Sequence, residues 1–233
     1  MDISISIIHP SRGRYEMATQ TAQKWMQNTK HSNQIEYWFA CDSDDSQFDM
    51  YQNSIQAMGL RANFSRNKSA IDAINRVAPY TKGNLIVVVS DDFDSFYGWD
   101  DFLLNSLSGK KDYLVKTSDG YMTNNWLITL PIMDRAYYNR FGYVYHPEYK
   151  HMFCDTEMTC VGNMLGKVID LQNPSAVFQH NHYSIGKMNK DEINVKNDST
   201  WNQGKELFLL RHSTNFGLSD EEIVMKYPRE MFL

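Results

Sequence analysis

Leu85-Ile-Val-Val-Val89 is a run of apolar, mostly β-branched residues, and just past Ser90 it meets the carboxylates Asp91, Asp92 and Asp94. An apolar run without alternation predicts a strand covered on both faces, as in the middle of a parallel sheet. The carboxylates then fall at the strand's carboxyl end, where open α/β sheets bind ligands. If the backbone stays extended, Asp92 and Asp94 point the same way, because strand side chains alternate. Two convergent carboxylates repel unless a cation lies between them, and such a hard-oxygen set suits Mg²⁺ or Mn²⁺ carrying a diphosphate. Acids after a strand are also turn formers and helix N-caps, so the cluster alone does not decide between ligand and turn.

The chain before this run has a repeating order. Ile3 to Ile8 predicts a first strand, which empties into His9-Pro-Ser-Arg-Gly-Arg14. Pro10 and Gly13 predict a turn there, and Arg12 and Arg14 either meet phosphate or are solvated. Glu16 to Lys30 predicts a helix with Ala18, Thr21, Ala22, Trp25 and Met26 on one face. Ile35 to Cys41 is a second strand ending in Asp42, Asp44 and Asp45. A short helix over Phe48 to Met58, a strand over Arg61 to Ser65 and a helix over Asn67 to Ala78 follow. The order is that of a doubly wound parallel sheet. No G-x-G-x-x-G and no G-x-x-x-x-G-K-[ST] follows any strand, which disfavours a dinucleotide fingerprint and a P-loop.

The second half predicts strands at Tyr113–Lys116 and Trp126–Leu130, joined by a polar loop over Thr117 to Asn125. A helix over Met133 to Arg140 is broken by Gly142, and Tyr143 to Phe153 is an aromatic, His-rich loop. Asp155 to Leu165 is a helix with Gly166 as its C-cap. Short strands over Val168–Leu171 and Ala176–Gln179 lead to His180-Asn-His182, whose imidazoles share a face if the backbone is extended. Asn189 to Asn202 predicts a polar loop and Lys205 to Arg211 a helix. Ser219-x-x-Glu222 has the form of a capping box opening a last helix that Pro228 ends. No repeat or linker divides the chain. The expectation is one domain, with a nucleotide-binding half over 1–100, an acceptor and catalytic half over 101–190 and a helical extension over 191–233.

Composition narrows the setting. The net charge of −5 builds in no long-range pull toward DNA or an anionic membrane. The three scattered cysteines, Cys41, Cys154 and Cys160, lack C-x-x-C spacing and predict reduced thiols in a cytoplasmic setting. No apolar run approaches a membrane span, and Ile3 to Ile8 is too short and interrupted for a signal peptide.

Four segments resemble the nucleotide-sugar-dependent glycosyltransferases of the GT-A fold, in particular small family-2-like members. They are Ile5 to Arg12, the acidic end at Asp42, the helix Asn67 to Ala78 leading into Val-Ser-Asp-Asp-Phe-Asp94, and Cys154-Asp-Thr-Glu-Met158. The last is similar to the family's Glu-Asp-x-Glu-Leu segment. The resemblance covers roughly residues 1 to 185. It implies a single α/β GT-A-like domain with a mostly parallel, Rossmann-like central sheet and a C-terminal helical extension. It also implies that Pro10, Arg12, Asp42, Asp91 and Asp92 line the nucleotide-sugar site; Asn67 at the start of its helix, Arg14 after the first strand, and Asn124 with Asn125 in the polar loop are further candidates for it by position. Asp92 and Asp94 would hold Mn²⁺ or Mg²⁺ together with His182 or His180, the match to the family's late histidine. Asp155 matches the catalytic base of inverting members. Two departures stand out: Cys154 replaces a common Glu, and the Arg that often follows in this helix is missing, Gly162 and Asn163 occupying its region.

The resemblance implies a metal-dependent glycosyltransferase (DXD motif) that moves a sugar from a nucleotide diphosphate to an acceptor hydroxyl by inverting displacement. Arg135, Arg140, His146, Lys150 and His151 form a basic, aromatic-rich run that suits a phosphorylated or nucleic-acid acceptor or is merely solvated. A glycan precursor and a hydroxylated base in phage-type DNA are both compatible acceptors. Trp126, Tyr143 and Tyr145 either stack on sugar or pack in the core. The competing classes are a nucleotidyltransferase that makes the nucleotide sugar, and a non-catalytic nucleotide- or glycan-binding module. The first usually needs a Gly-rich basic loop after the first strand, and Pro10 to Arg14 is short and poor in Gly.

Overall fold

The unalternating run of the central strand is explained by what lies on either side of it. In the computed structural model, which describes residues 4–121 and 126–226, Leu85, Val87 and Val89 point into one core and Ile86 and Val88 into another. Each fully buried aliphatic side chain of this kind contributes about 1.5–3 kcal/mol. The first half runs β1 (Ile5–Ser11), α1 (Tyr15–Gln27), β2 (Ile35–Asp42), α2 (Phe48–Ala57), β3 (Arg61–Ser65), α3 (Ala70–Val77) and β4 (Leu85–Val88). The second half adds β5 (Phe93–Asp94), α4 (Trp99–Leu107), β6 (Leu114–Lys116), β7 (Ile132–Asp134) and α5 (Arg135–Phe141). It continues with α6 (Cys154–Met164), β8 (Val168–Asp170), β9 (Gln179–His180), α7 (Glu192–Asp198) and α8 (Trp201–His212).

The main sheet has the order β3-β2-β1-β4-β7-β6-β8. All its neighbours pair in parallel except β7, which is antiparallel to both β4 and β6. One core holds Ala18, Ala22 and Trp25 of α1, Tyr51 and Ile55 of α2, and Trp99, Leu103 and Leu107 of α4. The opposite core holds the buried faces of α3, α5, α6 and α8. The α/β layers of the sequence expectation are therefore present, with helices on both faces of a mostly parallel sheet.

Several elements differ from expectation for local reasons. Trp126 to Leu130 is not a strand; β7 begins after Pro131, and its last residue, Asp134, caps α5 by accepting the Tyr137 N–H. The expected strand over Ala176–Gln179 shrinks to β9 and a single bridge between Ser118 and Val177. The expected polar loop over Asn189 to Asn202 contains α7, started by a capping box between Asp191 and Asn194. Ser219 and Glu222 do bond as a capping pair, but turns rather than a helix follow up to residue 226. Pro228 lies outside the described residues. No helix among the described residues is long and apolar enough to cross a membrane.

Candidate active site

The acids gather at the carboxyl end of the sheet because β1, β2 and β4 are parallel and end together. Pro10 is paired with Ala40 at the end of β1, so the expected turn starts later, at Arg12. Gly13 then takes a left-handed φ of 65°, and its N–H donates to Asp45 Oδ2 at 2.7 Å. Arg12 Nη1 donates to Asp42 Oδ2 at 2.7 Å and to Asp44 Oδ1 at 2.6 Å. These bonds, Asp42 first, raise the Arg12 pKa further. Asn67 Nδ2 donates to Asp42 Oδ1 at 2.8 Å. Pro10, Arg12, Asp42 and Asn67 thus share one corner.

Past β4 the backbone turns at Asp91 and Asp92 before extending at Phe93, so the Asp-x-Asp is not extended throughout. Its two side chains part. Asp94 Oδ2 lies 2.6 Å from Lys24 Nζ and accepts Asn181 Nδ2 at 3.1 Å. Asp92 Oδ1 accepts the Ser90 hydroxyl at 2.6 Å, and Oδ2 lies 3.2 Å from His180 Nε2. The short β5–β9 pair causes that meeting by setting Phe93 opposite His180. The His180 ring stacks on Phe93 with centroids 4.1 Å apart. Burial pushes the Asp92 carboxyl up, but His180, Ser90 and Arg14 outweigh it and hold the group well below the usual carboxylate range.

The two histidines do share a face, with ring centroids 5.1 Å apart. Their bonding differs. His182 Nδ1 accepts the Ser184 N–H at 3.2 Å, which keeps the ring's own proton on Nε2. His180 Nδ1 is buried and, among the described residues, has no hydrogen-bond partner. Such an orphan costs about 1–3 kcal/mol. Sequence reasoning placed His151 only in the basic run, yet Asp92, Asp198, Arg14 and His182 are the charges that act on it. Burial pushes its imidazole down to about 4, so it is neutral at physiological pH. No spacing rule tied His151 to Asp92.

Arg14 sits beside these groups. Its Nη1 is 3.8 Å from Asp91 Oδ2, and its Nε and Nη2 each donate to Asp191 at 2.7 Å. Asp191 is the N-cap of α7, so the C-terminal extension reaches back over the strand ends. Asp155 is half-buried in the first turn of α6. It is not the N-cap, since Phe153 holds that position with φ of 71°. The Thr156 N–H donates to Asp155 Oδ1 at 2.8 Å. Burial raises the Asp155 pKa, opposed chiefly by the hydrogen bond from Thr156. Glu157 receives both ends of the Arg211 guanidinium from α8 and the Tyr149 hydroxyl. Asn124 lies outside the described residues.

The basic run does not form one surface. Arg135 donates to the carbonyls of Thr81 and Gly83 at the far end of the sheet, and Arg140 pairs with Asp112. Tyr145 is core, and Tyr143 stacks on Phe141.

Among the described residues no three acid, histidine or cysteine side chains converge on one point. Asp92 with His180 is a carboxylate–imidazole pair. That pair fits Mn²⁺ or Mg²⁺ in the usual nucleotide manner, where one or two protein ligands are completed by phosphate oxygens and water.

The fold matches solved glycosyltransferases. A mannosyltransferase from Pyrobaculum calidifontis, solved with GDP-Man and Mn²⁺, has a TM-score of 0.60 at 11% identity over 77% of this chain and 57% of that one. TarS from S. aureus gives 0.61 at 13% identity, covering 94% of this chain and 41% of that one. Glucosyl-3-phosphoglycerate synthase from Mycobacterium tuberculosis, solved with Mn²⁺, UDP and glucosyl-3-phosphoglycerate, gives 0.62 at 13% identity, over 97% and 87%. The chain therefore spans about half the length of the first two and most of the third. At these identities the likeness establishes the fold, which is GT-A. No protein-family model and no curated protein matches the sequence.

Proposed function

We propose that the chain is a metal-dependent glycosyltransferase using a nucleotide-diphosphate sugar. The observation that carries this reading is the meeting of Asp92 with His180 at the end of β4 in a GT-A fold. The solved relatives with GDP-Man or UDP and Mn²⁺ supply the donor class. Asp42 and Asn67 would meet the nucleoside, and Asp91 the ribose. Arg14 would meet the diphosphate after giving up Asp191. Asp92 and His180 would hold Mn²⁺ or Mg²⁺, with His182 beside them; Asp94, turned to Lys24, would join only by leaving it. When bound, the ion supplies positive charge against the diphosphate as it leaves.

Asp155 is the candidate base. As the acceptor oxygen bonds to the anomeric carbon and the carbon–diphosphate bond breaks, its carboxylate takes the hydroxyl proton. A raised pKa makes it the more basic carboxylate. Displacement with the base opposite the leaving group inverts the anomeric centre. Arg135 is turned to main-chain carbonyls at the far end of the sheet and Arg140 is paired at the surface with Asp112, so the two offer no joint basic surface, which favours a glycan precursor over DNA as acceptor.

The test is a thermal-shift panel of UDP-, GDP-, CMP- and dTDP-linked ligands, each with and without Mn²⁺. A Mn²⁺-dependent shift for one nucleotide, lost in Asp92→Asn, is expected. No shift for any member would remove the donor assignment.

A further inference from the structure

Near its carboxyl end β1 carries a histidine for which the proposed transfer has no direct use. His9 is fully buried and stacks on Phe39, centroids 4.9 Å apart and planes at 22°. Both ring nitrogens are engaged. Nδ1 is 2.6 Å from the Tyr37 hydroxyl, and Nε2 is 2.9 Å from Asp91 Oδ1. Burial pushes the Tyr37 phenol well above its ordinary pKa, so it keeps its proton and can donate it to Nδ1. A ring that accepts at Nδ1 carries its N–H on Nε2, aimed at the carboxylate.

Asp91 is fixed from three sides. His9 holds Oδ1, the Thr21 hydroxyl donates to the main-chain carbonyl at 2.6 Å, and Arg14 stands 3.8 Å from Oδ2. With Oδ1 committed, Oδ2 is the oxygen left to accept from a ligand. We infer that His9, oriented by Tyr37, is a positioning residue that fixes Asp91 so that Oδ2 accepts a hydrogen bond from the ribose diol of the nucleotide. A carboxylate that cannot rotate loses less freedom when the ligand arrives. A histidine whose far nitrogen is itself anchored transmits that rigidity, as outer-shell partners do around ligating groups. The inference rests on the proposed nucleotide site.

The experiment compares UDP and GDP with their 2′,3′-dideoxy counterparts, by titration in Mn²⁺, on the full chain. His9→Leu is expected to weaken the ribonucleotide about tenfold while changing the dideoxy compound by less than about twofold. Tyr37→Phe removes one oxygen and keeps the ring, so it serves where His9→Leu fails to fold. It should weaken the ribonucleotide about threefold with the same selectivity. His9→Gln, which places an amide N–H near the position of Nε2, should restore most of the affinity. Equal losses for both sugars would make His9 a packing residue and overturn the inference with the proposed function intact. Wild-type protein that binds neither ribonucleotide nor any other member of the panel would overturn both.

Discussion

Two networks of withdrawn carboxylates lie at opposite ends of the same strands, and they are built differently. At the amino end Glu36 accepts the Ser6 hydroxyl at 2.7 Å, the Trp38 Nε1–H at 3.1 Å and the Lys82 N–H, with Arg61 3.4 Å away. The Gly83 N–H donates to Ser6 Oγ at 2.7 Å, and Arg135 binds the Gly83 carbonyl. Burial pushes Glu36 up, but the Lys82 N–H, Ser6 and Trp38 overcome it and leave the group below its ordinary pKa. At the carboxyl end the Asp155 pKa is raised by burial in spite of the Thr156 N–H, and His180 keeps a buried nitrogen with no partner among the described residues. Satisfied networks rigidify a fold, whereas an unmatched buried polar atom leaves a partner open to a ligand.

The comparison is broken most directly at Asp155. Asp155→Asn should lower transfer by about 10²–10⁴-fold, as expected for loss of a general base. The same variant should melt at a higher temperature near neutral pH. The raised pKa means the folded state binds the proton more tightly than the unfolded state. Ionised Asp155 therefore costs stability as pH rises from the unfolded carboxylate value through the folded one, and the full cost is present at neutral pH. Glu36 has the opposite sign. Its lowered pKa adds stability above the unfolded value, and this is lost as pH falls through the folded one. Glu36→Gln should thus destabilise at neutral pH and flatten the acid limb of a melting-temperature profile. If both variants shift that profile in one direction, the contrast between the two ends fails. The acid limb of wild-type turnover should also lie above the ordinary carboxylate range, since Asp155 must be ionised to work.

Gly83→Ala sharpens the amino-end half of the argument. A Cβ there would meet the Ser6 nitrogen at 2.5 Å and the Ile5 carbonyl carbon at 2.7 Å. These are backbone atoms between paired strands, so they cannot step aside. A loss of about 3 kcal/mol in urea unfolding is expected. Nucleotide affinity of the folded fraction should be unchanged, because Gly83 lies at the other end of β4.

How far the sequence revealed each end follows the range of the interactions. The run Leu85–Val89 announced the central strand because burial on two faces is written residue by residue. The helical stripe Ile71, Ile74 and Val77 is local in the same way. The GT-A fold was legible from this order plus a resemblance. The site was legible only in outline. Asp91 and Asp92 could be placed at a strand end, but nothing near Asp94 in sequence foretold that Lys24 would draw it aside. That Asp92 meets His180 rather than His182 depends on a two-residue strand, too short to carry a pattern. The Glu157–Arg211 pair joins residues separated by 54 positions. α7 was missed because its helical signal is a polar capping box rather than an apolar stripe.

α7 also supplies the smallest test of the contrast, since Asp191 partly matches the unmatched end. Its carboxylate takes two donors from Arg14, the geometry in which a guanidinium also receives a phosphate. Asp191→Asn keeps a good N-cap for α7, because asparagine caps as well as aspartate, and removes the charge. The pair is partly exposed, so its loss should cost no more than about 1 kcal/mol of stability. If Asp191 stands where the diphosphate belongs, Arg14 no longer has to be freed, and the affinity for a nucleoside diphosphate should rise by up to about fivefold. A fall in affinity would carry the opposite meaning. Asp191 would then be holding Arg14 in the orientation that the diphosphate uses, and α7 would be part of the finished site rather than a stand-in for its ligand.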